Sequence, residues 1–159
     1  MEEDSIDDEM GKELMHELVL KLKTPEDCAI FAKNATDRGR IDLALEARKR
    51  AVQLRSESFG ADSDVARECV EAIFAYEEVL SQKAGRRQPA TRTWQMIKRL
   101  GVIEAVESVV NRKSDAMGYT ALVEMGLEEY AFEAVILRNP TAFSADAVLR
   151  SKERLKEQI

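Results

Sequence analysis

Apolar residues recur every three or four positions along most of this chain, and this spacing constrains the fold more than any other feature. Between residues 64 and 80, for example, Val65, Cys69, Ile73 and Tyr76 would lie along one side of a helix. The short apolar runs at 109–110 and 134–137 have no partner with the alternation that strands show. The sequence therefore predicts an all-α fold of about eight or nine helices, packed as antiparallel helical hairpins or as an orthogonal bundle.

Capping residues predict where these helices begin and end. Thr24-Pro25 is the clearest start, because Thr24 can accept a backbone N–H bond and proline suits the first helical position. Glycine at position 39 predicts the end of that helix. The other predicted helices cover about residues 7–23, 41–58, from Ser63 past 80, 91–101, 102–112, 120–125, 127–138 and from Ser144 to the end. A turn is predicted at 114–118.

The acidic residues are concentrated at the N-terminus. Six of the 30 acids lie within the first ten residues, so that the remaining chain carries 24 acidic and 24 basic side chains. We therefore predict an acidic, disordered tail at 1–9, which is either solvated or docked on a basic surface. The stretch 84–90, Ala-Gly-Arg-Arg-Gln-Pro-Ala, is predicted to be a basic linker. It would join a helical unit at 10–83 to a second one at 91–159, or lie beside one shared core.

Residues 28–54 resemble a tetratricopeptide repeat, a helical hairpin of about 34 residues. Small and large packing positions occur at that family's spacing, and Gly39 permits the turn. These positions are Cys28, Phe31, Ala32, Ala35, Ile41, Ala44 and Ala51. Cys28 and Arg48 replace expected aromatic residues, and no proline closes the repeat near Glu57. The resemblance implies a scaffold that binds other proteins.

Cysteine usage and hydropathy bear on the cellular compartment. Cys28 and Cys69 have no Cys-x-x-Cys spacing, and we expect both to be free and buried in a reducing compartment. No apolar run approaches the roughly 18 residues of a membrane span. The acidic N-terminus is unlike that of a signal peptide. These features predict a cytoplasmic protein without a membrane partner.

Residues suited to catalysis are scarce. His16 is the single histidine, and no glycine-rich phosphate motif occurs. Paired carboxylates at Glu77-Glu78 and Glu128-Glu129, with Glu133 one turn further, are expected on exposed helix faces. The sequence thus predicts no enzyme, no catalytic or metal-binding residues and no cofactor.

One segment is strongly basic, since 80–102 contains six Lys and Arg residues and no acid. Clustered cations could neutralise phosphates, and an exposed tryptophan could stack on a base. The candidate polyanion-binding residues are Arg86, Arg87, Arg92, Trp94, Lys98 and Arg99. Alternatively, Trp94 shares an apolar face with Ile97 and Leu100, and the segment is a solvated linker or binds the acidic tail.

Two functional hypotheses follow from these features. The first is a non-catalytic interaction module, an adaptor or regulatory subunit that binds another protein or a second copy of itself. The alternative is an accessory nucleic-acid-binding protein that uses the basic segment 83–99.

Overall fold

The computed structural model of the chain describes residues 17–112 and 116–157. The regular structure of these residues is helical and includes no strand, so the all-α prediction is confirmed. Residues 109–110 and 134–137 both lie in helices. Within the described ranges no helix combines the length and the apolar character that crossing a bilayer requires. The described residues do not include the predicted acidic tail, His16 or most of the first predicted helix. Residues 17–20 of that helix are described, and they are helical.

The chain divides into two compact units, one ending at Arg55 and one beginning at Ser56. Unit 1 contains α1 (Pro25–Asp37) and α2 (Ile41–Phe59), with the division falling inside α2. The predicted start of α1 is confirmed, because the Thr24 hydroxyl accepts a hydrogen bond from the backbone N–H of Asp27 at 3.1 Å. Local capping chemistry therefore defines where this helix begins.

A glycine turn joins α1 to α2. Gly39 has a φ of +75°, and its N–H donates to the carbonyl of Thr36 at 3.0 Å. The next N–H, of Arg40, donates to the carbonyl of Ala35 at 2.8 Å, which completes a Schellman motif. Small side chains then allow the two helices to pack closely. The buried cluster between them consists of Ala32, Ala35, Leu43, Ala44 and Ala47.

Unit 2 contains the remaining helices. These are α3 (Asp64–Ala84), α4 (Thr91–Leu100), α5 (Val102–Asn111), α6 (Ala116–Glu124), α7 (Phe132–Arg138) and α8 (Ala145–Glu157), with 3₁₀ turns at Glu128–Tyr130 and Pro140–Ala142. Side chains of α3, α5, α7 and α8 form its main core. That core consists of Cys69, Ala72, Val106, Val110, Val135, Ile136, Phe143 and Ala147. As predicted, Ser63 and Ser144 cap α3 and α8.

Polar bonds distant in sequence hold these helices in place. The Glu68 carboxylate accepts from Arg138 Nε at 2.7 Å and from Asn139 Nδ2 at 2.8 Å, which ties α3 to the end of α7. The Glu107 carboxylate accepts from the backbone N–H of Ser144 at 2.6 Å, which ties α5 to the start of α8. Since both carboxylates bond groups on other elements, they orient helices as well as carrying charge.

Two expectations about secondary structure differ from the structure. The turn predicted at 114–118 is incorrect from residue 116 onward, because α6 begins at Ala116 and includes Gly118. The single helix predicted over 127–138 is interrupted at Ala131, whose ψ of 145° is extended. The segment 84–90, for which a basic linker was predicted, belongs to unit 2. There the N–H of Gln88 donates to the Ser81 hydroxyl at 2.9 Å, so the segment is held against α3.

Candidate functional site

A carboxylate is buried in the middle of unit 2. Glu77 is 0% exposed, so the expectation that it lies on an exposed face is wrong. Its position explains the burial, because Glu77 follows Ile73 by four residues and Val70 by seven. Both of those residues are also fully buried, and this spacing places all three side chains on one face of α3. For Glu128 and Glu129, by contrast, the expectation of exposure is confirmed.

Three donors converge on the Glu77 carboxylate. Its Oε1 accepts from Arg87 Nη2 at 2.9 Å. Its Oε2 accepts from the backbone N–H of Ala90 at 2.8 Å and from Trp94 Nε1 at 2.7 Å. A buried charge is tolerated when it is paired and hydrogen-bonded in this way. We call Glu77, Arg87, Ala90 and Trp94 the Glu77 node; it fastens residues 87–94 to α3.

Trp94 is part of the packing of unit 2 as well as of this node. Its ring centroid lies 5.0 Å from that of Phe74 and 5.6 Å from that of Phe59. The indole therefore packs against two aromatic rings, and its nitrogen donates to Glu77. Of the six candidate polyanion-binding residues, the structure brings Arg87 and Trp94 together, and it does so around a carboxylate.

The other four candidates lie in two places. Arg86, Lys98 and Arg99 are exposed, and none of them forms an ion pair with another residue that the structure describes. Arg92, in the first turn of α4, lines a cavity. The six candidates thus separate into a structural pair, three exposed cations and one cation at a cavity.

The cavity has a volume of about 600 Å³ and is formed by all of the helices from α3 to α8. Much of its wall is apolar or aromatic. Representative wall residues are Tyr76, Leu80, Met96, Val109, Leu122 and Phe132. Its volume falls within the range of about 300–1,000 Å³ that is typical of small-molecule sites, and such sites combine an apolar lining with a few polar groups.

Four charged residues line the same cavity. Arg154 Nη1 lies 3.4 Å from Glu133 Oε1, and both side chains are less than a fifth exposed. Arg154 Nη2 also donates to the carbonyl of Arg112 at 2.5 Å. Arg92 and Arg112 themselves are exposed and form no ion pair with any residue in the described ranges. Since Glu133 and Arg154 neutralise each other, the described wall carries an excess of positive charge.

Sequence reasoning found Arg92 but missed Arg112 and Arg154 and misjudged Glu133. Glu133 was expected on an exposed face, but its side chain is largely buried beside Arg154. Arg112 follows α5 and Arg154 lies in α8, far from Arg92 along the chain. No local pattern links these positions, because the cavity exists only once α4, α5 and α8 are packed.

Neither cysteine is among the residues that line the cavity. Cys28 and Cys69 are buried thiols that do not form a disulfide, as expected. Burial, together with the neighbouring Glu68 charge, raises the pKa of the Cys69 thiol to about 12. That thiol is therefore protonated near neutral pH and is a poor nucleophile. Among the described residues, no group of three potential metal ligands is close enough to hold an ion.

No protein-family model, curated protein or solved structure that was compared with this chain matches it. The function of the site therefore has to follow from its own geometry.

Proposed function

We propose that this protein is a non-catalytic binding module, and that the cavity of unit 2 is its ligand site. A single observation carries the proposal. One cavity of about 600 Å³ joins a largely apolar wall to two arginines, Arg92 and Arg112, which have no ion-pair partner among the described residues. An apolar body with a few well-placed polar contacts is the arrangement that small-molecule sites use.

The charged groups of the wall favour binding over chemistry. Arginine remains protonated in proteins, so Arg92 and Arg112 can hold an anion but are unsuited to proton transfer. The Glu133 carboxylate is held by Arg154 and is not positioned as an independent base. The cavity thus supplies fixed positive charge and apolar surface, which are the requirements for recognition.

Substitution of Gly118 tests whether the cavity is the site. Gly118 lines the cavity, and a Cβ added there meets no atom within 4 Å, so larger side chains extend into open space. The probe is phenylnaphthylamine, a neutral aromatic dye that fluoresces in apolar surroundings. We expect saturable binding by the wild type, and a loss of about tenfold or more in affinity for Gly118→Leu, because its side chain occupies ligand space.

Gly118→Ala is the matched control for this experiment. It should bind the dye within about twofold of the wild type, and it should be about 0.5–1 kcal/mol more stable because alanine favours the helix. Circular dichroism of both variants verifies that the fold is retained. The proposal is wrong if the wild type shows no saturable binding, or if folded Gly118→Leu binds as the wild type does.

Contact with a second copy of the chain is a separate proposal, supported by unit 1. Its Leu18, Ile30 and Ile41 side chains are 50%, 61% and 62% exposed. Burying such side chains between chains would release apolar surface from water. Sedimentation at several concentrations should show association by the wild type and less by an Ile30→Gln/Ile41→Gln variant. A wild type that remains monomeric throughout would contradict self-association.

We also propose a cytoplasmic location for this protein. Two buried thiols that do not form a disulfide are the state that a reducing environment maintains, and this supports a cytoplasmic location.

A further inference from the structure

We propose that the cavity ligand is a small amphipathic molecule with one anionic group, such as a carboxylate, sulfonate or phosphate. Arg92 and Arg112 hold the anion, and the apolar body of the ligand lies against Tyr76, Leu122 and Phe132. This inference rests on the proposed function, since it names the class of ligand for the same cavity.

The wall of the cavity is charged where it meets solvent and apolar in the interior. Arg92 and Arg112 are exposed, which places them where the cavity meets solvent. Met96 and Leu122 are each only 5% exposed and form part of the interior wall. A ligand that is apolar throughout would leave the two arginines without a partner, and one that is polar throughout would leave the apolar wall unfilled. An amphipathic ligand satisfies both regions.

The two arginines come from different elements and line the same cavity. Arg92 lies in the first turn of α4, and Arg112 directly follows α5. The carbonyl of Arg112 is fixed by Arg154, so the chain is anchored at this point although the guanidinium is exposed. Guanidinium groups bind planar or tetrahedral oxyanions through charge-assisted hydrogen bonds. Two of them can therefore share a single anionic group.

A single anion suits this opening better than a polyanion. The exposed candidate cations Arg86, Lys98 and Arg99 are not part of the cavity wall. A further acidic group on the ligand would also approach Glu133, the one described carboxylate in the wall. The limited volume of the cavity and the small number of cations in its wall thus select a compact molecule.

Two dyes that differ only in one charged group test this inference. Anilinonaphthalene sulfonate has the same aromatic skeleton as phenylnaphthylamine and carries an added sulfonate. The wild type should bind the sulfonate more tightly than the neutral dye. Arg92→Gln and Arg112→Gln should each weaken sulfonate binding about five- to tenfold, because each removes a charge-assisted bond. Their affinity for the neutral dye should stay within about twofold of the wild type.

Control variants and competitors complete the test. Arg86→Gln and Arg99→Gln remove exposed cations outside the cavity and should leave both affinities unchanged. Decanoate and monodecyl phosphate should displace the bound sulfonate, and the order of their affinities identifies the preferred anion. Decanol, which has no charge, should displace it at least about fivefold less effectively.

The possible failures are distinguishable. If neither dye binds, or if both bind folded Gly118→Leu as well as they bind the wild type, the proposed function itself is wrong. If the neutral dye binds in the cavity but the sulfonate gains no affinity over it, the function stands and the anionic ligand class is overturned. The same conclusion follows if Arg92→Gln and Arg112→Gln behave like Arg86→Gln.

Discussion

The Glu77 node and the cavity are two regions of one helical unit that use the same kinds of side chain in opposite ways. In the node, both carboxylate oxygens accept hydrogen bonds from Arg87, Ala90 and Trp94. At the cavity, Arg92 and Arg112 form no ion pair with any described residue. Residues 87–94 contribute to both regions. The comparison shows that the number of cations in a segment does not tell which of them are available to a ligand, whereas the partners of each cation do.

Removal of the buried carboxylate should have the largest effect. Glu77→Ala leaves the donors of Arg87, Ala90 and Trp94 without their acceptor, and breaking a buried ion pair from one side costs about 3–5 kcal/mol. We expect the free energy of unfolding to decrease by about 3 kcal/mol, near the lower limit, because the Arg87 side chain is 42% exposed and can be hydrated. Urea unfolding followed by circular dichroism measures the change.

The control for this substitution is Glu124→Ala. Glu124 is exposed at the end of α6, and its removal should change the free energy of unfolding by less than about 0.5 kcal/mol. Equal effects of the two substitutions would show that the node does not stabilise unit 2, and the contrast with the cavity would disappear.

The adjacent Arg86 and Arg87 provide a second, smaller test. Arg87→Ala removes a 2.9 Å ion pair to Glu77, and we expect a loss of about 1 kcal/mol, limited by the partial exposure of Arg87. Arg86→Ala should change stability by less than about 0.5 kcal/mol. Thermal unfolding of both variants measures the difference. If Arg86→Ala and Arg87→Ala changed stability equally, the division of the basic segment into structural and exposed cations would be contradicted.

Acid titration should separate two carboxyl groups of α3 by the sign of their effect. Burial disfavours the ionised form of Glu68, but hydrogen bonds from Arg138 and Asn139 outweigh it and lower the pKa below its usual value of 4.5. The stability that Glu68 contributes is therefore present above pH 4.5 and is lost as the pH falls through the lowered folded-state pKa.

For Glu71 the sign is reversed, because burial raises the pKa of its carboxyl group. The contribution of Glu71 to stability is largest below the usual pKa of 4.5, and it is lost as the pH rises through the raised folded-state pKa. Stability measured from about pH 7 to pH 3 should thus fall less steeply on acidification in Glu68→Gln than in the wild type. In Glu71→Gln it should fall more steeply. Identical slopes in both variants would contradict the assigned bonds of Glu68.

The smallest expected effect concerns binding to polyanions. The alternative proposal of nucleic-acid binding is left with the exposed Arg86, Lys98 and Arg99, since Arg87 and Trp94 bond to Glu77. An Arg86→Ala/Lys98→Ala/Arg99→Ala variant should weaken any oligonucleotide binding at low salt and reduce its salt dependence. Its binding of anilinonaphthalene sulfonate should be unchanged. A parallel loss of sulfonate binding would show that the cavity and these cations form one site.

Local signals predicted much of the fold. Thr24, Ser63 and Ser144 cap helices as expected, and Gly39 ends α1, because capping and glycine turns depend on groups within a few residues of one another. The same reasoning gave a wrong prediction where one residue type is compatible with two local structures. Gly118 suggested a turn and lies within α6. The break at Ala131 could not be predicted, since buried positions recur at helical spacing on both sides of it.

Charged residues were predicted less well than apolar ones. Spacing alone placed Glu77 on the same helix face as Val70 and Ile73, yet the general preference of carboxylates for solvent gave the wrong expectation. The donors that make its burial tolerable come from residues 87–94, and the pairing of Glu133 with Arg154 spans two helices. Such pairings depend on which elements pack together.

By itself the amino-acid sequence determined that this chain is helical, where most of its helices begin and end, and which small residues allow α1 and α2 to pack. These properties arise from backbone hydrogen bonds and apolar periodicity over short distances along the chain. Only the tertiary structure decided which carboxylate is buried, which arginines are paired, and that a cavity opens beside Arg92 and Arg112. A charge acquires its role from neighbours that are distant in sequence, and those neighbours meet only when the helices pack.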